Sequence, residues 1–130
     1  KEASTKKAGN YLNLLEVKLV TDDRTYTVSG TLISEEIFRI VEMDGYQMAL
    51  KPTPFILITP HHDRPGMIAK VATVLGEAGV NISALQVART GASAGGESIM
   101  VFNLDNALSE GVLASIRQIE GIYGSLYINL

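Results

Sequence analysis

The sequence predicts an α+β protein: a mostly β partial domain, then a ferredoxin-like β-α-β-β-α-β unit with an antiparallel sheet. Three observations predict it. Short apolar segments, one with a clear period of two, fill the first part. Lys51-Pro52-Thr53-Pro54 makes a stiff, extended connector. Beyond it, strand-like and helix-like patterns alternate in the order of the ferredoxin-like unit. The expected boundaries are 1–53 for the partial domain and 54–130 for the second domain.

In the first part, Lys1 to Gly9 is polar and reads as the tail of a helix that begins upstream. Leu14 to Val20 is apolar and rich in strand formers, and Asp22-Asp23 suits a turn. Arg24 to Leu32 sets Thr25, Thr27, Ser29 and Thr31 against Tyr26, Val28, Gly30 and Leu32, the pattern of a half-buried strand. Phe38 to Met43 is the next strand. Asp44-Gly45 is a two-residue hairpin signal leading into Tyr46 to Leu50. This half has little helix to cover its sheet, so it is expected to complete its core with residues outside the chain or with another subunit.

In the second part, Phe55 to Thr59 is an apolar strand. Pro65-Gly66 opens a helix with Pro at its first position, and Met67, Ile68, Val71, Leu75 and Ala78 recur at helical spacing up to Gly79. Asn81 to Arg89 and Ser98 to Leu104 are strands joined by the Gly91 to Gly96 loop. Ser109 caps a second helix, with Val112, Leu113, Ile116 and Ile119 on its apolar side, ended by Gly121. Tyr123 to Leu130 is the last strand. Ile56, Ile58, Ile99 and Val101 alternate with Phe55, Leu57, Met100 and Phe102, so both sheet faces are apolar. With helices for one face only, self-association as a homodimer or tetramer is expected.

Composition narrows the function classes. The chain has 130 residues, no cysteine, no tryptophan, 6% aromatics and a net charge of −3. The acidic balance and scarce aromatics argue against nucleic acid and anionic membranes as partners. No apolar run approaches the roughly 20 residues that span a bilayer, and Lys1-Glu2-Ala3-Ser4-Thr5-Lys6-Lys7 is no signal pattern. Without cysteine there are no disulfides, thiolate nucleophiles or cysteine zinc sites, which fits a reducing compartment. The chain does not start with Met, which suggests a processed chain or a piece of a longer one. No serine sits in a Gly-x-Ser-x-Gly elbow, the two histidines are adjacent, and the Glu35-Glu36 pair lies on an expected turn, so no hydrolase site converges.

His61-His62-Asp63 suggests a metal, but adjacent residues on extended backbone point to opposite sides, and there is no third imidazole. No metal is expected. Asp63-Arg64-Pro65-Gly66 is a strand-to-helix turn with two readings. In one, Asp63 is only the capping acceptor of the helix. In the other, backbone N–H groups at the helix start attract a carboxylate while Asp63 holds an ammonium, the two charges of an α-amino acid. Asn81, after Gly79-Val80, is either local turn chemistry or a neutral amide donating to a carboxylate across an interface. The Gly91 to Gly96 run lacks a Gly-Lys-Ser/Thr ending and reads as a hairpin loop, with Glu97 a solvated strand end.

Several runs carry a family likeness: His61-His62-Asp63-Arg64-Pro65-Gly66-Met67-Ile68, Leu75-Gly76-Glu77-Ala78-Gly79-Val80-Asn81-Ile82, Gln86-Val87-Ala88-Arg89, Gly95-Gly96-Glu97-Ser98-Ile99-Met100-Val101 and Ile119-Glu120-Gly121-Ile122. They resemble an ACT domain, in particular that at the C-terminus of bacterial D-3-phosphoglycerate dehydrogenases. Val28-Ser29-Gly30-Thr31-Leu32 and Arg39-Ile40-Val41-Glu42-Met43-Asp44-Gly45-Tyr46 resemble the intervening, allosteric substrate-binding domain of the long form of that family. The resemblance covers residues 13 to 130. It implies a cytoplasmic homo-oligomer that binds L-serine or another small amino acid at a subunit interface for feedback inhibition, through His61, Asp63 and Asn81 and backbone groups near Pro65, Gly66 and Met67. Some members have Asn where this chain has Asp63, which changes how the ammonium is held. The intervening domain of the family resembles an anion site, and Arg39 and Lys51 fall at its matching positions, with Lys18 and Arg24 as weaker matches. The catalytic residues and the NAD loop of the family match nothing in this sequence, so the resemblance implies a regulatory piece without cofactor or catalysis of its own. Two alternatives stand beside it. The β portion of iron–sulfur L-serine dehydratase is similar, but it has a Gly-rich turn where this chain has Ile33-Ser34-Glu35-Glu36. A ligand-free assembly module is the alternative of another class.

Overall fold

Strand-forming residues dominate the chain up to the Pro52-Thr53-Pro54 connector, and there every element among the described residues of the computed structural model is a strand. The structure describes residues 2–5, 15–20, 25–34, 37–89 and 96–130. The chain divides into two units, Lys1–Pro52 and Thr53–Leu130.

The first unit is an antiparallel meander of β1 (Glu2–Thr5), β2 (Leu15–Val20), β3 (Thr25–Ser34), β4 (Ile37–Met43) and β5 (Tyr46–Leu50), adjacent in chain order. The expected helical tail is corrected here: Glu2–Thr5 is a strand, paired with β2 from Glu2↔Lys18 to Thr5↔Leu15. These residues have no apolar alternation, and the neighbouring strand supplies the ladder that their own pattern does not announce. The Asp44-Gly45 turn has φ 50° and 83°, so both central residues are left-handed as a type I′ hairpin requires. Asp44 seals it: its N–H donates to Thr27 O at 2.8 Å, and its Oδ1 accepts from Thr27 N at 2.7 Å. Phe38 lies across Gly30, where a Cβ would stand 2.1 Å from its ring. Ile40, Val41, Met43, Tyr46 and Leu50 are buried. Asp22-Asp23, Arg24, Glu35-Glu36 and most of the Gly91 to Gly96 loop lie outside the described residues.

The second unit runs β6 (Phe55–His62), α1 (Met67–Glu77), β7 (Ile82–Arg89), β8 (Glu97–Leu104), α2 (Glu110–Arg117) and β9 (Leu126–Asn129). Its antiparallel sheet has the order β7-β8-β6-β9, the ferredoxin-like arrangement. Leu57 faces Phe102 and Thr59 faces Met100 in the register, so alternate residues share the face that meets the helices. Leu57, Met100 and Phe102 pack with Met67, Val71 and Leu75 of α1 and with Leu113 and Ile116 of α2 in one core. The other alternates, Ile56, Ile58, Ile99 and Val101, are buried as well. Ser109 Oγ accepts from Val112 N at 3.3 Å, so it caps α2 as its sequence position predicts.

Several boundaries differ from the sequence reading, among them α2, which ends at Arg117 rather than before Gly121, and three that border the turn after β6. β6 continues past Thr59 to His62, because Pro60, His61 and His62 keep pairing with Ile99, Ser98 and Glu97. The first helix begins at Met67 with Gly66 as its N-cap, so Pro65 precedes the helix rather than opening it. β9 begins at Leu126, not Tyr123: Ile122 makes only an isolated bridge to His61, and Tyr123 N donates to Pro60 O at 2.9 Å. Among the described residues no helix is long and apolar enough to cross a membrane.

Candidate functional site: the turn between β6 and α1

Extended backbone at the end of β6 sends consecutive side chains to opposite faces. His61 lies in the helix-facing alternation and is 2% exposed, with Nδ1 3.2 Å from Thr59 O. His62 takes the other face, its Nδ1 3.2 Å from the Tyr123 hydroxyl. The two imidazoles therefore do not converge, and among the described residues no three His, Cys, Asp or Glu side chains gather as metal ligands.

The turn that follows is held by its backbone. His62 N donates to Gly121 O and Asp63 N to Gly96 O, both at 2.8 Å. Gly121 has φ 94°, and a Cβ there would stand 2.9 Å from Arg64 Nη2 and 3.1 Å from Met67 Sδ. Glycine thus lets the α2–β9 loop close against the start of α1. Arg64 Nη2 donates to Glu120 O at 3.1 Å across the same junction.

Asp63 is not the helix cap. Gly66, at φ 88°, occupies the N-cap position, and no side chain caps α1. Among the described residues no side chain accepts from the first-turn N–H groups, that of Met67 included. The Met67 side chain itself is buried in the core. The Asp63 side chain, 14% exposed, instead faces Arg89 at the end of β7, with Oδ2 2.9 Å from Arg89 Nε. The N–H is not directed at that oxygen, so buried Oδ2 receives the charge without a hydrogen bond. Between them on the sheet lies one cross-strand row, His61–Ser98–Arg89.

Asn81 stands elsewhere. It follows the C-terminal end of α1, is exposed, and donates from Nδ2 to Asp105 Oδ2 at 2.6 Å. The 11 residues of α1 separate it from Asp63 by about 16 Å. Of the residues singled out from sequence, His61, Asp63, Pro65, Gly66 and Met67 come together, and Asn81 does not join them within one chain. Arg89, which its motif in the sequence gives no role, stands against Asp63 in the structure.

In the first unit, the pairing Ile40↔Leu50 sets Arg39 and Lys51 at facing positions beside it. Arg39 is half-buried, with Nη1 donating to Phe38 O at 2.9 Å, and Lys51 is exposed. Lys18 is exposed on β2.

The family description "ACT domain" matches residues 56–121, which include every residue of the turn and Asn81. The chain belongs to the ACT-domain family. It is 36% identical over 129 residues to the D-3-phosphoglycerate dehydrogenase of Methanocaldococcus jannaschii, covering 99% of this chain and 24% of that protein. The enzyme of the same name from Synechocystis is 32% identical over 130 residues, 100% of this chain and 23% of the relative. That of Bacillus subtilis is 32% identical over 120 residues, 92% of this chain and 22% of the relative. The chain thus spans about a quarter of the length of these curated relatives. The likeness extends through the first unit, which the ACT match does not reach.

Proposed function

We propose that this chain is the regulatory part of a D-3-phosphoglycerate dehydrogenase, an NAD-dependent enzyme whose catalytic domains it does not contain. In this reading it binds L-serine between two ACT domains and carries no catalysis of its own. The observation that carries the reading is the separation of Asp63 from Asn81 by the length of α1, combined with the place of β7. That strand is at the edge of its sheet, it begins right after Asn81, and it ends at Arg89 against Asp63. Two copies paired antiparallel along β7 about a two-fold axis would set the Asn81 end of one against the Asp63 end of the other. Each of the two resulting sites would combine one carboxylate, the uncapped N–H groups of α1 and one amide from the partner. That set suits an ammonium and a carboxylate one carbon apart. Feedback inhibition would follow if the serine-bound arrangement of subunits differs in activity from the free one, since a ligand shifts only the equilibrium of states it binds unequally.

Calorimetric titration of L-serine, with glycine and L-valine for comparison, tests the proposal. The expected result is saturable, serine-selective binding at about one site per chain, the number that two sites in a two-fold dimer give. Absence of heat with all three amino acids, on a folded and dimeric sample, would overturn it in favour of a ligand-free assembly module.

A further inference from the structure

We propose that Arg89 is a specificity-determining residue of the ACT site, the side chain that reads the α-carboxylate of the ligand while Asp63 reads its ammonium. The inference rests on the amino-acid reading above and adds to it a second charged partner. Three observations carry it. Arg89 Nε approaches Asp63 Oδ2 to 2.9 Å, so the two opposite charges stand side by side at the mouth of the turn. Asp63 Oδ2 is buried without a hydrogen bond despite that contact, which leaves an anionic acceptor with unused capacity. The Arg89 side chain is 46% exposed, and beyond Nε it has no partner among the described residues.

A guanidinium is planar and offers two donor edges. Nε lies 2.9 Å from Asp63 Oδ2, and the two Nη nitrogens, which pair with no described residue, offer the other edge to a carboxylate. An α-amino acid entering here would place its ammonium on the Asp63 carboxylate, drawing it away from Arg89, and its own carboxylate on the open edge. One close ion contact would become two, with no net charge left over. This exchange discriminates by charge pattern. An amine without a carboxylate finds Arg89 competing for Asp63, and an acid without an ammonium leaves Asp63 unsatisfied.

The test is a two-by-two titration of the full chain: wild type and Arg89→Gln, each with L-serine and with L-serine methyl ester, which keeps the ammonium and hydroxyl but has no carboxylate charge. The expected result is a weakening of serine by about 10- to 100-fold in Arg89→Gln, the range for loss of a charged hydrogen-bonding partner. The ester should bind Arg89→Gln at least as tightly as wild type, since no carboxylate contact is lost and Arg89 no longer competes for Asp63, and Arg89→Lys should recover part of the serine affinity. Equal losses for serine and ester would overturn the inference, because Arg89 would then only position Asp63. Tighter binding of both ligands by Arg89→Gln would overturn it as well, because Arg89 would then be only a competitor for the ammonium site. Wild type alone gives an independent arm that needs no variant to fold: equal affinity for serine and its ester refutes carboxylate recognition by charge. If wild type binds none of serine, glycine and valine, the amino-acid reading itself falls and takes this inference with it.

Discussion

If the amino-acid site joins Asp63 of one chain to Asn81 of another, two inactive variants should repair each other. Asp63→Ala removes the carboxylate, and Asn81→Ala removes the amide. Each variant alone forms dimers in which both sites lack one half. Removing either group should weaken serine by about 10-fold or more, the lower end for a charged or charge-assisted hydrogen bond. Mixed and allowed to exchange subunits in equal amounts, the two variants form about half heterodimers. In each heterodimer one site has lost both groups and the other has lost neither, so about one quarter of all sites should regain wild-type affinity. Calorimetry reads this directly as a high-affinity stoichiometry of about 0.25 per chain, absent from either variant alone. The geometry makes the outcome sharp, because 11 helical residues keep the two groups about 16 Å apart in a single chain, too far for one small amino acid. Recovery of no sites after verified subunit exchange would refute the shared-site argument, as would wild-type affinity in Asn81→Ala.

Two further predictions concern the frame around the site and the first unit. Gly66→Ala and Gly76→Ala are the same chemical change on and within α1, both with open space where the Cβ would go, but Gly66 has φ 88°. Thermal denaturation should show Gly66→Ala destabilised by about 1–2 kcal/mol for its left-handed backbone and Gly76→Ala stabilised by about 0.5–1 kcal/mol as a helix-interior alanine; shifts of the same sign would refute the backbone argument. If Arg39 and Lys51, which flank the Ile40↔Leu50 pair, hold an anion, inorganic phosphate should raise the melting temperature by mass action, and Arg39→Gln should abolish that rise; an equal rise in the variant would remove Arg39 from the site.

Much of the second unit was legible because its signals are local. Met67, Val71 and Leu75 repeat every four residues and all enter the core. Ser109 caps where its position says it should, and Asp44-Gly45 adopts the left-handed turn that its two residue types favour. What failed was set by neighbours rather than by the segment itself. Glu2–Thr5 has no alternation and becomes a strand only because β2 lies beside it. The end of β6 runs on through Pro60 and two histidines because β8 continues to pair with them. The start of α1 moved from Pro65 to Met67 because Gly66 alone accepts the left-handed backbone that turns the chain into the helix.

The partner of Asp63 was a different kind of omission, because its position follows from topology alone. In a β-α-β-β-α-β order the sheet places β8 between β6 and β7, antiparallel to both. The end of β6, the start of β8 and the end of β7 must then lie at one edge of the sheet. With period two along each strand, the residue across Ser98 from His61 is Arg89. A cation at that position, one strand beyond a turn that begins with an aspartate, has an anion within reach of its side chain. Cap and ligand are both local roles for Asp63, and neither points to the residue 26 positions away that the strand order brings to it. The same reasoning explains why Asn81 does not arrive. It sits at the start of β7, and an antiparallel strand that delivers its last residue to the site carries its first residue to the opposite edge, where only a second copy, reversed, can return it.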